Sequence, residues 1–229
     1  MRVLVEYTRE ERVKYISHLD LMRTMQRAVR RAGIPIAYSQ GFNPHPVMAF
    51  ASALPVGVTS EKEYMDIVLE QPMSLPVLKE QLNHALPKGI AVREAVVIED
   101  KTPSMMSLIK RADYKVTAAG VDWNQVIEAY TGASEILVEK KSKKGVTTIN
   151  LKDAVYNICK DEENGEVLHL SLKVGDSSGL NPLSAVNALL KLSGAAKNEG
   201  IDLTAAVHRT GMYLIREGQW VTPLALNID

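Results

Sequence analysis

The stretch Tyr15-Ile16-Ser17-His18-Leu19-Asp20-Leu21-Met22-Arg23 begins a helix around which the predicted fold is arranged. Ser17 is a typical N-cap residue, and Asp20 stands at the reciprocal position of a capping box. The helix is predicted to end near Gly33, because glycine readily takes the left-handed conformation that follows a helix, and Pro35 prevents its continuation.

This helix has two chemically different faces. The apolar face carries Leu21, Met22, Met25, Ala28, Val29 and Ala32. The opposite face carries the arginines Arg23, Arg27, Arg30 and Arg31. We therefore expect the helix to pack on a sheet and to present its guanidinium groups on the other side. Those groups either stay solvated, with Asp20 pairing Arg23, or contact phosphate.

The segments around the helix follow the order of a ferredoxin-like unit. Strands are predicted at 1–7, 36–39, 47–54, 64–70 and 90–98, with a second helix at 75–86. This is a βαββαβ order with one extra strand. After a linker at Lys101-Thr102-Pro103-Ser104 the pattern recurs, and it includes a helix at 182–192 capped by Asn181. We predict an α+β protein of two tandem ferredoxin-like units, at 1–100 and 101–229, the first with a strand and loop insertion.

Composition excludes several classes of protein. Of the 229 residues, 46% are hydrophobic and 24% are charged, which is typical of a globular protein. No apolar run approaches the roughly 20 residues that span a membrane. The N-terminal segment Met1-Arg2-Val3-Leu4-Val5-Glu6-Tyr7 has too short an apolar run, and reaches an acidic residue too early, to be a signal peptide. We expect a cytoplasmic protein without a membrane partner.

The sequence favours neither a metal site nor a cofactor. Cys159 is the only cysteine, so disulfides within the chain and clusters of cysteine ligands are excluded. The five histidines never fall four residues apart on one helix, and there is no glycine-rich phosphate loop. We expect no bound metal and no cofactor, and we interpret Cys159 as an inert thiol.

Charge is distributed unevenly along a chain whose net charge is zero. Residues 1–60 hold eight Lys and Arg against four Asp and Glu, whereas residues 61–100 hold four against eight. A neutral total argues against bulk electrostatic binding to nucleic acid, but it leaves room for a local basic face in the first quarter of the chain.

The loop Gly41-Phe42-Asn43-Pro44-His45-Pro46 completes the candidate site, because its prolines suit neither a helix nor a central strand. In a ferredoxin-like unit the first helix returns between two strands that run in the same direction. The start of that helix and the loop that leaves the second strand then lie on one edge of the sheet. We therefore expect His18 near His45, Asn43 and Gln40, beside the free N–H groups of a helix N-terminus, which attract phosphate or carboxylate.

The site has structural interpretations as well as functional ones. His18 lies on the apolar side and can be a partly buried structural histidine, and Phe42 and Tyr38 can either pack on their own fold or stack on a base. His18 and His45 are the candidate catalytic residues. The candidate RNA- or anion-binding residues are Ser17, His18, Arg23, Arg27, Arg30, Arg31, Gln40, Phe42, Asn43 and His45.

Two segments closely resemble a known bacterial family: Tyr15-Ile16-Ser17-His18-Leu19-Asp20, and Tyr38-Ser39-Gln40 with the loop that follows it. Phe50-Ala51, Leu54-Pro55-Val56-Gly57, Glu63-Tyr64 and Asp66 extend the match. The family is the radical-SAM-linked proteins, a domain of unknown function found beside, or fused to, radical S-adenosylmethionine proteins. The resemblance implies a radical SAM partner, with this chain acting in trans. The chain lacks the CxxxCxxC cluster motif of the radical enzyme itself.

Three functions remain open at this point. The first is a non-catalytic module that binds RNA, or presents a substrate, for a radical SAM partner. The second is a metal-independent endoribonuclease with His18 and His45 as general acid and base. Tandem ferredoxin-like units with such a histidine resemble the CRISPR repeat-processing enzymes, although their glycine-rich loop has only a remote counterpart at Arg209-Thr210-Gly211-Met212-Tyr213. The third is a domain that only docks a protein partner.

Overall fold

The structure is a computed structural model that describes residues 1–142, 145–175, 179–195 and 207–228. It is a mixed α+β protein, the class that the sequence predicted, and it contains a large, mostly antiparallel sheet. The helices are α1 (His18–Arg31), α2 (Leu75–Ala85), α3 (Met105–Leu108), α4 (Trp123–Gly132), α5 (Leu151–Ala154) and α6 (Pro182–Leu192). No helix within the described ranges is long and apolar enough to cross a membrane.

The strands follow the same chain order. They are β1 (Arg2–Arg9), β2 (Met48–Phe50), β3 (Thr59–Val68), β4 (Val92–Ile98), β5 (Arg111–Thr117), β6 (Leu137–Ser142), β7 (Gly145–Asn150), β8 (Val155–Lys160), β9 (Val167–Lys173), β10 (Val207–Arg216) and β11 (Gln219–Val221). The chain divides into two compact units. The first comprises Met1–Ile109 and Gly211–Asp229, and the second comprises Lys110–Thr210.

In the first unit β1 lies between β3 and β4 and is antiparallel to both, with Val5 opposite Met65 on one side and Ala95 on the other. β2 adds to β3 in antiparallel fashion. Because β1 and β2 are each antiparallel to β3, they run in the same direction. Successive side chains of a strand point to opposite faces of the sheet, and Val3, Leu4 and Val5 are all fully buried, so β1 is covered on both faces.

Helix α1 confirms the prediction from periodicity. Ser17 Oγ accepts the N–H of Asp20 at 3.1 Å, and Gly33 follows the helix with a φ of 64°. The apolar face is buried in the core of the first unit together with residues of β1, β3 and α2. The hydrophobic effect therefore fixes which side of α1 meets the sheet, and it leaves the arginine side exposed.

Two segments of the first unit differ from the sequence-based expectation. The predicted strand at 36–39 forms only isolated bridges, Ile36 with Leu69 and Tyr38 with Pro46, because prolines at 44 and 46 cannot donate to a regular ladder. The sequence also placed residues 101–229 in one second unit, whereas Gly211–Asp229 groups with the first. A backbone contact contributes to this grouping, since the Ile228 N–H donates to the Val97 carbonyl oxygen at 3.2 Å.

The second unit has its own antiparallel strands and core. β9 lies between β5 and β8, and β6 pairs with β7 as a separate hairpin. Helix α6 begins as predicted, with the Asn181 side chain accepting the N–H of Leu183 and Pro182 in the first turn. The apolar faces of α4 and α6 are buried, Trp123 and Leu189 being fully so.

Candidate functional site

An open cavity of about 420 Å³ lies beside α1 in the first unit, and we call it the arginine pocket. Its lining residues come from two adjacent parts of the chain. Helix α1 contributes Arg23, Gln26, Arg27 and Arg30, and the loop that follows contributes Tyr38, Asn43, Pro44, His45 and Pro46. The pocket thus joins the two motifs that the sequence singled out, the arginine face and the Pro-rich loop.

The three arginines line the pocket because of helix geometry. Arg23, Arg27 and Arg30 are four and then three residues apart, so their side chains leave the same side of α1 in a row. A rise of about 1.5 Å per residue separates them by about 6 and about 4.5 Å along the axis. All three are exposed, since Leu21, Met25 and Val29 on the opposite side are buried.

The pocket is positively charged and only weakly compensated. In the part of the chain that the structure describes, the side chains of Arg27 and Arg30 make no hydrogen bond or ion pair. Arg23 pairs with Asp20 at 3.4 Å, and both side chains of this pair are more than half exposed. No Asp or Glu is among the described residues that line the pocket. The guanidinium groups therefore lie where an external anion can bind them.

The loop reaches the arginine face because it folds back on itself. Tyr38 bridges to Pro46, and the Val47 N–H donates to the Ala37 carbonyl oxygen at 2.8 Å. These contacts bring the two ends of the loop together, so Asn43 and His45 are presented beside the middle and the last turns of α1 rather than beside its first turn. His45 is exposed, and its ring makes no hydrogen bond to any described residue, so it can accept or donate one to a ligand.

Ser17 and His18 lie at the start of α1 and do not line the arginine pocket. The Ser17 hydroxyl is occupied, since it accepts the Asp20 N–H and donates to Asp20 Oδ2 at 2.7 Å. The His18 ring packs edge-on against Phe50, with ring centroids 5.4 Å apart and an interplanar angle of 82°. Its Nδ1 is buried without a hydrogen-bond partner among the described residues.

Three other predicted site residues also lie outside the pocket. Gln40 and Phe42 are exposed on the loop next to it, and the Phe42 ring is completely exposed. Arg31 donates to the Ala85 carbonyl oxygen at 2.7 Å and lines a different cavity with His84. Of the predicted set, the pocket brings together Arg23, Arg27, Arg30, Asn43 and His45.

A buried arginine that the sequence analysis missed holds the segment that leads into α1. Arg9 is fully buried, and its guanidinium donates to the carbonyl oxygens of Ile16 at 3.0 Å and of Val13 and Leu54 at 3.4 Å. These bonds attach the segment just before the Ser17 cap to the end of β1. The signal in the sequence was a charged residue at a position that continues the alternation of Val3, Val5 and Tyr7.

The second unit contains a separate hydrogen bond between His169 on β9 and Asp161, the residue that follows β8. His169 Nε2 lies 2.7 Å from Asp161 Oδ2, and Cys159 stands opposite His169 in the ladder. The hydrogen bond from His169, together with the N–H groups of Asn164 and Glu163, lowers the pKa of Asp161 to about 2. Within the described ranges, no three His, Cys, Asp or Glu side chains form a group that could hold a metal ion.

Comparison with known proteins places this chain in a bacterial family. The model of the family described as "Uncharacterized protein conserved in bacteria (DUF2344)" matches residues 2–182. The chain belongs to this family of uncharacterised bacterial proteins. A search of the curated proteins found no match.

The solved structures that are similar to this chain include a chain in the "Crystal Structure of a Cbf5-Nop10-Gar1 Complex". The alignment has 11% sequence identity and a TM-score of 0.46, and it covers 92% of this chain and 48% of that one. The chain thus spans about half the length of that structure. At this TM-score the likeness supports no conclusion about fold or function.

Proposed function

We propose that the chain is a non-catalytic RNA-binding module that presents RNA to a radical SAM partner, with the arginine pocket as its phosphate-binding site. The observation that carries the proposal is the row of Arg23, Arg27 and Arg30 along a single cavity, with Arg27 and Arg30 unpaired among the described residues. Guanidinium groups bind phosphate through paired, charge-assisted hydrogen bonds. A local row of this kind can bind RNA even though the chain as a whole is neutral.

The polar groups beside the arginines favour RNA among phosphate-bearing ligands. Gln26 and Asn43 each carry an amide, and Tyr38 carries a hydroxyl. Such groups can hydrogen-bond the ribose 2′-hydroxyl, which distinguishes RNA from DNA, and the edges of bases that are not paired.

The proposal of a radical SAM partner rests on two segments that resemble the radical-SAM-linked family. They are Ser17-His18-Leu19-Asp20 and Gly41-Phe42-Asn43-Pro44-His45-Pro46. With only Cys159 in the chain, a radical cluster would have to be supplied by another protein.

We also propose that the units follow the ferredoxin-like pattern in tandem and act in the cytoplasm. In the first unit the chain order β1-α1-β2-β3-α2-β4, with β1 antiparallel to β3 and β4, supports that pattern.

Binding of total cellular RNA to the purified protein, in the presence of chelator, tests the proposal. We expect binding without cleavage, weakened by about 30-fold in the double variant Arg27→Gln/Arg30→Gln, which corresponds to about 2 kcal/mol. The matched control is Arg93→Gln, which removes an exposed arginine from β4, outside the pocket.

A second double variant, His18→Ala/His45→Ala, separates the alternatives. Cleavage by the wild-type protein that is lost in this variant would identify a metal-independent ribonuclease. Absence of any RNA binding, with a radical SAM protein still captured, would identify a docking domain. Either result would overturn the proposal of a non-catalytic RNA-binding module.

A further inference from the structure

The Phe42 ring is the most exposed large apolar side chain among the described residues, with an exposed fraction of 113% of its reference area. It stands in the loop at 40–44, whose base is held by the bridge between Tyr38 and Pro46. A phenylalanine that contacts none of its own core contributes nothing to the hydrophobic stabilisation of the fold. The ring is therefore available to a ligand.

The position of Phe42 relates this ring to the arginine pocket. Asn43, the next residue, lines the pocket, and Tyr38 at the base of the loop lines it as well. A nucleotide whose phosphate is bound by Arg27 or Arg30 thus has its sugar and base beside the aromatic loop. The row of arginines along α1 offers successive guanidinium groups to the backbone of one strand, which carries one phosphate per nucleotide.

From this arrangement we propose that the RNA is single-stranded where it crosses the arginine pocket, and that one of its bases stacks on the Phe42 ring. The inference rests on the proposed function and adds the class of substrate. In an RNA duplex the bases are paired and stacked on one another, and an aromatic side chain cannot reach their faces. An unpaired base presents a whole π-face, and stacking on an aromatic ring tolerates any base.

The experiment compares three ligands: a short single-stranded RNA, the same strand with abasic positions, and a blunt duplex of the same sequence. Binding to the wild-type chain and to Phe42→Ala is measured by fluorescence anisotropy at one salt concentration. We expect the wild-type chain to bind the single strand about tenfold more tightly than the abasic strand or the duplex. Phe42→Ala should lose that advantage without weakening binding to the abasic strand, and Phe42→Trp should restore it.

Two further variants keep the inference separate from the proposed function. Tyr156→Ala removes an exposed aromatic ring from the second unit and should leave all three affinities unchanged. Arg27→Gln should weaken all three ligands alike. If Phe42→Ala binds the single strand as tightly as the wild-type chain while Arg27→Gln still weakens it, the stacking inference is wrong and the phosphate site stands. If Arg27→Gln has no effect on any ligand, the proposed function itself fails, and the inference fails with it.

Discussion

Ser39 and His45 exchange two hydrogen bonds across the loop that carries Phe42. The Ser39 N–H donates to the His45 carbonyl oxygen at 2.8 Å, and the His45 N–H donates to Ser39 Oγ at 3.0 Å. Together they close a loop of exposed residues that has no core of its own. The position of the His45 ring in the arginine pocket therefore depends on a serine that does not line the pocket.

Ser39→Ala removes the hydroxyl acceptor and leaves the other bond in place. Because the bond is exposed, we expect the free energy of unfolding to fall by about 0.5–1 kcal/mol. The affinity for RNA should fall by about threefold, because the loop becomes less ordered before binding. Urea denaturation and anisotropy measure the two effects. Ser52→Ala, at a serine outside the loop, should not change the affinity for RNA. An unchanged affinity for Ser39→Ala would show that the closure of the loop does not contribute to RNA binding.

Among the charged residues near the start of α1, we expect substitution of Arg9 to lower the free energy of unfolding the most. Arg9→Met leaves the carbonyl oxygens of Val13, Ile16 and Leu54 without this donor in a buried environment. We expect a loss of about 2–4 kcal/mol of unfolding free energy, measured by urea denaturation. Arg12→Met, at an exposed arginine three residues away, provides the control. Equal stabilities of the two variants would show that the Arg9 bonds contribute nothing net.

The hydrogen bond between His169 and Asp161 predicts a dependence of stability on pH. The pKa of Asp161 is about 2 in the folded chain, below its ordinary value of 3.8, chiefly because of the hydrogen bond with His169. Its contribution is thus present above about pH 4 and is lost as the pH falls toward 2. The free energy of unfolding of Asp161→Asn, measured by urea denaturation between pH 2 and 5, should depend less on pH than that of the wild-type chain. Parallel curves for the two proteins would contradict this assignment.

Local pattern predicted the parts of the fold that depend on nearby residues. The cap at Ser17, the end of α1 before Gly33 and the separation of apolar and arginine faces all follow from spacing within one helix. The α+β class follows from the alternation of strands and helices along the chain. The exposure of Arg23, Arg27 and Arg30 was predicted for the same reason, since the opposite face of α1 had to be buried.

Contacts between residues far apart in the sequence could not be predicted from local pattern. The fold-back of the loop depends on the pairing of Tyr38 with Pro46, and this pairing directs His45 to the arginine row instead of the first turn of α1. The edge-on contact of His18 with Phe50 joins residues that have no common periodicity. The grouping of Gly211–Asp229 with the first unit likewise depends on tertiary contacts such as that of Ile228 with Val97.

The salt dependence of RNA binding tests the central claim, that the arginine pocket binds phosphate, most directly. Affinity for a short single-stranded RNA is measured over a range of salt concentrations for the wild-type chain, Arg27→Gln/Arg30→Gln and Arg93→Gln. Three phosphate contacts predict a slope of log K against log salt of about −2, since each contributes about 0.7 on a single strand. The double variant should reduce the slope to about −0.7, and Arg93→Gln should leave it unchanged. A wild-type slope near zero, or equal slopes for the wild-type chain and the double variant, would contradict the account.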